Sequence, residues 1–349
     1  MEAQKSIDQP NLIDKKQKFH DQNKASKNKL SNIEELVLLG LQPLSPDKRK
    51  KLYIFLKKYH SDNSELKFLF SNGANAFGLT RELDTLTHKT IENTSNSETK
   101  AAALHTLASG YFDVSNILAI LQTNSISLEF FMKQTMGDNL KVMSDYFHNE
   151  MKKWEIYSWE EIKEKSLKYS LEIIKNHNKS RFYTFSLDKQ GNPSEKPFGR
   201  IKKSAKSIKS AIEKASTGTI IKKICINDFQ GKANNILIKK NEIYMFYVWS
   251  SQCDPCKENT PLLERILLDN KSREYKINTT LLSMDDKIIK SPIQESRNIS
   301  IGPKNKILHD WMIHEYPTVI LVDHKQTIRY RGGFKEDLLK KIIHKIQIE

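Results

Sequence analysis

Cys253 and Cys256, separated by Asp254 and Pro255, are the residues best placed to do chemistry. Two thiols at this spacing can close a small disulfide. They follow the run Ile243-Tyr244-Met245-Phe246-Tyr247-Val248-Trp249, which has no polar interruption, as a strand covered on both faces requires. If a helix opens at Cys253, its unpaired amides and dipole stabilise a thiolate there. The thiolate is the nucleophile of disulfide exchange, so Cys253 is expected to attack and Cys256, one turn in and more buried, to resolve the mixed disulfide. Leu262 with Ile266 and Leu263 with Leu267 should pin the inner face of this helix, and Pro261 should bend it.

The elements that must position this pair change character along the chain. Residues 1–30 carry few large apolar side chains and many Lys, Asn, Gln and Asp, and read as a polar arm. Helical spacing begins with Leu36, Leu38, Leu39 and Leu41, then Ser45-Pro46-Asp47 as a start signal. Further helices are expected at about 81–91, 98–109, 114–122, 127–153 and 159–176. Residues 186–198 read as a turn-rich break, followed by a basic helix over 200–214 whose thin apolar face (Ile201, Ala205, Ile208, Ile212) suggests a solvated linker. After Gly218 come strand candidates at 219–226, 243–249, 278–284, 318–323 and 327–331, and a closing helix with Leu338, Leu339, Ile342, Ile343 and Ile346 on one stripe. The expected fold is an α+β two-part chain. Its parts are the arm (1–30), a mostly α-helical region (31–185), a basic linker (186–217) and an α/β domain (218–349).

Over about residues 225–346 the chain resembles the thioredoxin superfamily, and within it the TlpA/ResA-like thiol-disulfide oxidoreductases. The matching pieces are Asp228-Phe229-Gln230-Gly231-Lys232, the segment from Trp249 to Pro261, Tyr316-Pro317-Thr318 with the strand that follows, and Gly332-Gly333. The resemblance implies a central mixed sheet flanked by helices, a redox-active disulfide serving cell redox homeostasis, and a cis-proline at Pro317 facing the dithiol. It further implies a substrate groove shaped by Trp249, Asp254, Pro255, Tyr316, Pro317 and Thr318. The implied partners are protein disulfide or dithiol substrates and an upstream thiol reductant, with no organic cofactor because the cysteine pair carries the electrons.

Some positions depart from that pattern. Gln252 replaces the aromatic residue before the first cysteine, Tyr247 stands where many members carry a buried acid, and Asn259, next to Glu258, replaces a frequent glutamate. The carboxylate of Asp254 should oppose a thiolate at Cys253 and raise its pKa, predicting a reducing couple. An alternative for the pair is half of a zinc site, with Cys225 and one of His309, His314 or His324. Cys225 by itself reads as a small buried strand residue, and Trp154 and Trp159 as packing anchors. From a different class, the chain could be a helical interaction protein that uses the α/β domain only for binding.

Composition bounds these readings. With 349 residues and 40.5 kDa the chain has room for about two domains. A net charge of +15 excludes an acidic, calcium-buffering type, but the excess is spread over both parts and no aromatics interleave the lysines of 200–214, so no specific nucleic-acid partner is expected. Three cysteines exclude a disulfide-stapled scaffold. The polar opening shows no export signal, which predicts a cytoplasmic protein, whereas the resemblance implies a periplasmic or other extracytoplasmic one. No metal is called for at the dithiol, no transmembrane segment is expected, and the helical region is left free for an unidentified protein partner.

Overall fold

The computed structural model describes residues 37, 40 and 44–349, apart from 73–77, 137–140, 188–192, 271–275 and 294–295. The expected arm, most of the first helical segment and the Gly191-Asn192 turn lie outside the described residues.

Among the described residues seven helices precede the first strand: α1 (Pro46–Tyr59), α2 (Leu66–Ser71), α3 (Arg81–Asn93), α4 (Ser97–Asn124), α5 (Leu128–Met136), α6 (Lys141–Lys152) and α7 (Trp159–Asn176). Ser45 occupies the N-cap of α1 with Pro46 behind it, but its side chain makes no capping bond. A full capping box opens α7: Ser158 accepts from the Glu161 amide, and Glu161 accepts from the Ser158 amide. The two helices expected at 98–109 and 114–122 are one. Gly110 lies in the interior of α4, where a Cβ would meet Leu79 at 2.8 Å. Its 28 residues make α4 about 42 Å long, enough to run the depth of the helical region and reach the second part of the chain.

The segment 181–214 differs from its sequence reading. Strands β1 (Arg181–Leu187) and β2 (Pro193–Arg200) form an antiparallel hairpin, and α8 (Ile201–Lys214) follows at once. Helix α8 is not solvated. Ile201, Ala205, Ile208, Ala211 and Ile212 are buried, the last three in a small core with Ala108 and Phe112 of α4. The apolar stripe is narrow but made of small and β-branched residues, so the helix packs close while its lysines stay in water.

From Gly218 on, the chain forms the hairpin β3 (Lys223–Asn227) with β4 (Ala233–Leu237), then β5 (Ile243–Trp249), α9 (Asp254–Asp269), β6 (Ile277–Ser283), β7 (Arg297–Ser300), α10 (Lys306–Asp310), β8 (Thr318–Val322), β9 (Ile328–Gly333) and α11 (Glu336–Ile348). Five strands make one mixed sheet in the order β7-β6-β5-β8-β9, with β6 parallel to β5 and to β7, and β8 antiparallel to β5 and to β9. Every residue of β5 is buried. Met245 and Tyr247 face one core with Cys256, Leu263 and Ile266 of α9 and the stripe of α11, while Tyr244, Phe246 and Val248 face the other with Trp311 and the β3–β4 hairpin. Each large side chain so covered contributes about 1.5–3 kcal/mol. That explains the unbroken apolar run.

Cys225 is a correction. Strand β3 alternates exposed and buried residues, turning Ile224 and Ile226 inward and Lys223, Cys225 and Asn227 to solvent.

Candidate active site

The last residue of β5 is Trp249, and four residues later Cys253 is the N-cap of α9. Cys253 and Cys256 form a disulfide with an S–S distance of 2.10 Å and Cα atoms 5.2 Å apart. The Cys256 amide, in the first turn of the helix, donates to Cys253 Sγ at 3.1 Å and shares its proton with the Cys253 carbonyl, also at 3.1 Å. Cys253 is half-buried and Cys256 fully buried. A thiolate formed at Cys253 thus meets both the helix dipole and an oriented N–H.

The loop that delivers Cys253 is held by one carboxylate that the sequence reading did not single out. Asp285, just past β6, accepts from the Ser251 amide at 3.1 Å, from Ser251 Oγ at 2.8 Å and from Ser250 Oγ at 3.3 Å, and also from Ser283 Oγ. Burial tends to raise its pKa, but these donors outweigh it and hold the carboxyl below its usual range. Its signal in the sequence is weak, an acid directly after a strand.

The departures from the family pattern acquire definite positions. Tyr247 is fully buried, and burial drives its phenol above the ordinary value, so it is neutral near pH 7. It donates to the Cys256 carbonyl at 3.4 Å, and Thr260 Oγ1 donates to the same oxygen at 2.8 Å. Asn259 donates to the Pro255 carbonyl at 2.8 Å and so serves its own helix. The exposed Asp254 pairs with Lys257 at 2.8 Å, whose hydrogen bond and charge lower the Asp254 pKa. This cation offsets the charge that the sequence alone sets against Cys253.

The Tyr316–Pro317 peptide is cis. Pro255, Tyr316, Pro317 and Thr318 line one cleft, of 840 Å³, together with Asn259, Gly332, Gly333 and Phe334. Neither Trp249 nor Asp254 is among its lining residues: Trp249 is buried, and its indole nitrogen has no hydrogen-bond partner among the described residues.

The helical region supplies the opposite side of the cleft, which sequence reasoning missed. Phe112, Asp113, Asn116, Ile117 and Ile120 of α4 and Phe131 and Thr135 of α5 all line it. Two anchors fix this wall to the sheet. Arg329, nearly buried, donates to the Thr123 carbonyl at 2.7 Å, to Asn124 Oδ1 at 3.1 Å, to Asp323 at 3.2 Å and to Glu349 at 2.6 Å. Gly218, at φ +84°, lies so close to Trp159 that a Cβ would come within 2.3 Å of the indole, while Asn116 Oδ1 accepts from the Thr217 amide at 3.1 Å. Within the cleft the Arg331 guanidinium stacks over Phe112 at 5.1 Å and donates to the carbonyls of Trp311 and Met312. Asp113, reachable from solvent but surrounded by protein, has its carboxyl pushed up to about 6, because desolvation outweighs the attraction of Arg331.

The zinc alternative finds no assembled ligand set: no group of three or more His, Cys, Asp or Glu side chains converges among the described residues. His309 instead shares a hydrogen bond with Ser207 of α8. No described helix is long and apolar enough to cross a membrane.

A cysteine pair at the β5–α9 junction, a cis peptide before Pro317 and the strand order β7-β6-β5-β8-β9 together define a thioredoxin-like α/β domain, carried behind a helical region. Solved structures are similar to part of this chain. The C-terminal domain of a thiol-disulfide oxidoreductase from Bacteroides thetaiotaomicron is 18% identical, over 39% of this chain and 99% of that one, with a TM-score of 0.33. The thioredoxin domain of a thiol-disulfide oxidoreductase from Bacteroides vulgatus is 20% identical, over 38% and 98%, with a TM-score of 0.30. A thiol:disulfide interchange protein DsbE from Chlorobium tepidum is 17% identical, over 38% and 98%, with a TM-score of 0.31. No family model and no curated protein matches the chain.

Proposed function

We propose that the protein is a thiol-disulfide oxidoreductase that reduces or exchanges protein disulfides through Cys253 and Cys256. The observation that carries this reading is the Cys253–Cys256 disulfide across the N-terminus of α9, with Cys253 reachable from solvent and Cys256 buried behind it. In the reducing direction the Cys253 thiolate attacks one sulfur of a substrate disulfide and the other sulfur leaves as a thiolate. Cys256, losing its proton, then attacks Cys253 Sγ, the second substrate thiolate departs, and the released thiolates take up protons from water or the lost thiol proton. The substrate gains two electrons and the enzyme is left as the disulfide. An upstream dithiol restores the pair by the same exchange in reverse, so no organic cofactor or metal is required. Tyr247 is no candidate base for Cys256, so the proton of the resolving step goes to water or to another group.

The test is turnover of a protein disulfide by the full chain. Cys253→Ser should abolish it, and Cys256→Ala should retain attack and accumulate mixed disulfides. Reduction that survives in Cys253→Ser would refute the proposal. Fractionation of cells, with the redox state of the pair measured in vivo, separates the cytoplasmic expectation from the extracytoplasmic one: a pair kept largely reduced in the cytosol supports the first.

A further inference from the structure

The cleft that Pro255, between the two cysteines, shares with Pro317 is walled on a side that the α/β domain does not itself build; neither cysteine is itself among its lining residues. Ile117 and Ile120 of α4 and Phe131 and Thr135 of α5 face a strip made by Pro255, Tyr316, Pro317 and Thr318. Gly332 and Gly333 line the same space and contribute no side chains to it. The wall is held in place by Arg329, through Thr123 and Asn124 at the end of α4, and by Asn116 through the Thr217 amide. Ionic groups of both signs, Asp113 and Glu315 against Arg331 and Lys335, line the cleft, and Arg331 already spends donors on two backbone carbonyls. No single charge is selected for, and the remaining surface is largely aromatic and aliphatic. The space is a cleft open to solvent, and its 840 Å³ lies within the range, about 300–1,000 Å³, of ligand-binding clefts.

We propose that this helical wall determines substrate specificity: the dithiol acts on disulfides carried by an extended segment with apolar residues flanking its cysteine, and discriminates against disulfides on the surface of folded domains. The inference rests on the redox reading of Cys253 and Cys256. Ile117 is the residue through which the wall is best probed, because it is half-buried, lines the cleft and is not part of either anchor. Discrimination arises because an extended segment fits between α4 and the Pro317 strip and buries its flanking side chains there. A folded surface is too broad to enter between α4 and α5 on one side and the Pro317 strip on the other.

The experiment compares full-length wild type, Ile117→Ala and Ile117→Trp on three disulfides. These are an unstructured peptide with leucine and valine flanking a glutathionylated cysteine, a folded protein with one surface disulfide, and the small aromatic disulfide dithiobis(nitrobenzoate). For wild type, kcat/KM for the peptide should exceed that for the folded protein by at least about tenfold, the scale on which pocket contacts discriminate. Ile117→Trp should lower the peptide value severalfold while the aromatic disulfide stays within about twofold, and Ile117→Ala should shrink the preference for the peptide. Ile117→Ala tests the wall independently if the larger side chain prevents folding. Equal use of peptide and folded protein by wild type, or a peptide preference unmoved by Ile117→Ala, would overturn the inference while leaving the redox reading intact. Failure of wild type on all three disulfides would overturn the redox reading and the substrate assignment with it.

Discussion

The β5–α9 junction and the α4–β9 seam meet at the same cleft, but they are built in opposite ways. The junction is local: seven apolar residues, a three-residue loop and a helix start place both sulfurs within one short stretch of chain. The seam is non-local. Arg329 reaches back more than two hundred positions to Thr123 and Asn124, and Gly218 makes room for a tryptophan nearly sixty residues before it. Chemistry is therefore written in spacing, whereas access to that chemistry is written in contacts between distant segments. Damage to the seam should cost stability and substrate choice, and damage to the junction should cost turnover.

The seam gives the largest expected stability effects. Arg329→Ala leaves Asp323 buried without its cation and the end of α4 without two bonds, and should lower unfolding free energy by about 3–5 kcal/mol in denaturant titration. Gly218→Ala forces both a left-handed backbone and an overlap with Trp159, and should cost about 1–3 kcal/mol by the same measure, or more if Trp159 cannot shift. At the junction, Asp285→Ala strips the acceptor from Ser250 and Ser251. A loss of about 1.5–3 kcal/mol is expected, with a fall in kcat/KM for every disulfide, the small aromatic one included, that the folded seam variants do not show. A fall in turnover no greater than that of Arg329→Ala would blur the contrast.

The smallest effect is one of pH. Asp113 has a folded-state pKa pushed up to about 6, above its ordinary value of 3.8. Between those limits the folded state holds a proton that the unfolded state has lost, so this group makes stability fall as pH rises from about 4 to 6 and contributes no further slope above that. Asp113→Asn should flatten that part of the profile, as read by thermal unfolding across the window. Unchanged parallel profiles would mean that Asp113 is not desolvated in the cleft.

How much of this was legible follows the same division. The strand at 243–249, the cysteine pair, the cis bond at Pro317 implied by the resemblance, and the helix at 159–176 all depend on short patterns, and the structure has each of them. The β1–β2 hairpin escaped because Pro193 and Pro197 mask a strand whose partner carries the aromatic signal, Phe182, Tyr183 and Phe185. Helix α8 was misread as solvated because its apolar stripe is short, and its burial depends on Ala108 and Phe112, which no local pattern pairs with it. Cys225 could have been placed correctly, since Ile224 and Ile226 alternate with it in a strand with one face to water. The cleft wall carried no signal at all. Ile117 and Phe131 look like ordinary core residues until the fold brings them opposite Pro317.

The division of labour within the dithiol is the claim on which the rest depends. The direct measurement is mass mapping of the complex formed when reduced full-length Cys256→Ala meets a disulfide substrate. A mixed disulfide through Cys253, with none through the solvent-facing Cys225, is the predicted result. Linkage through Cys225, or an adduct of similar yield formed by Cys253→Ser, would contradict the account.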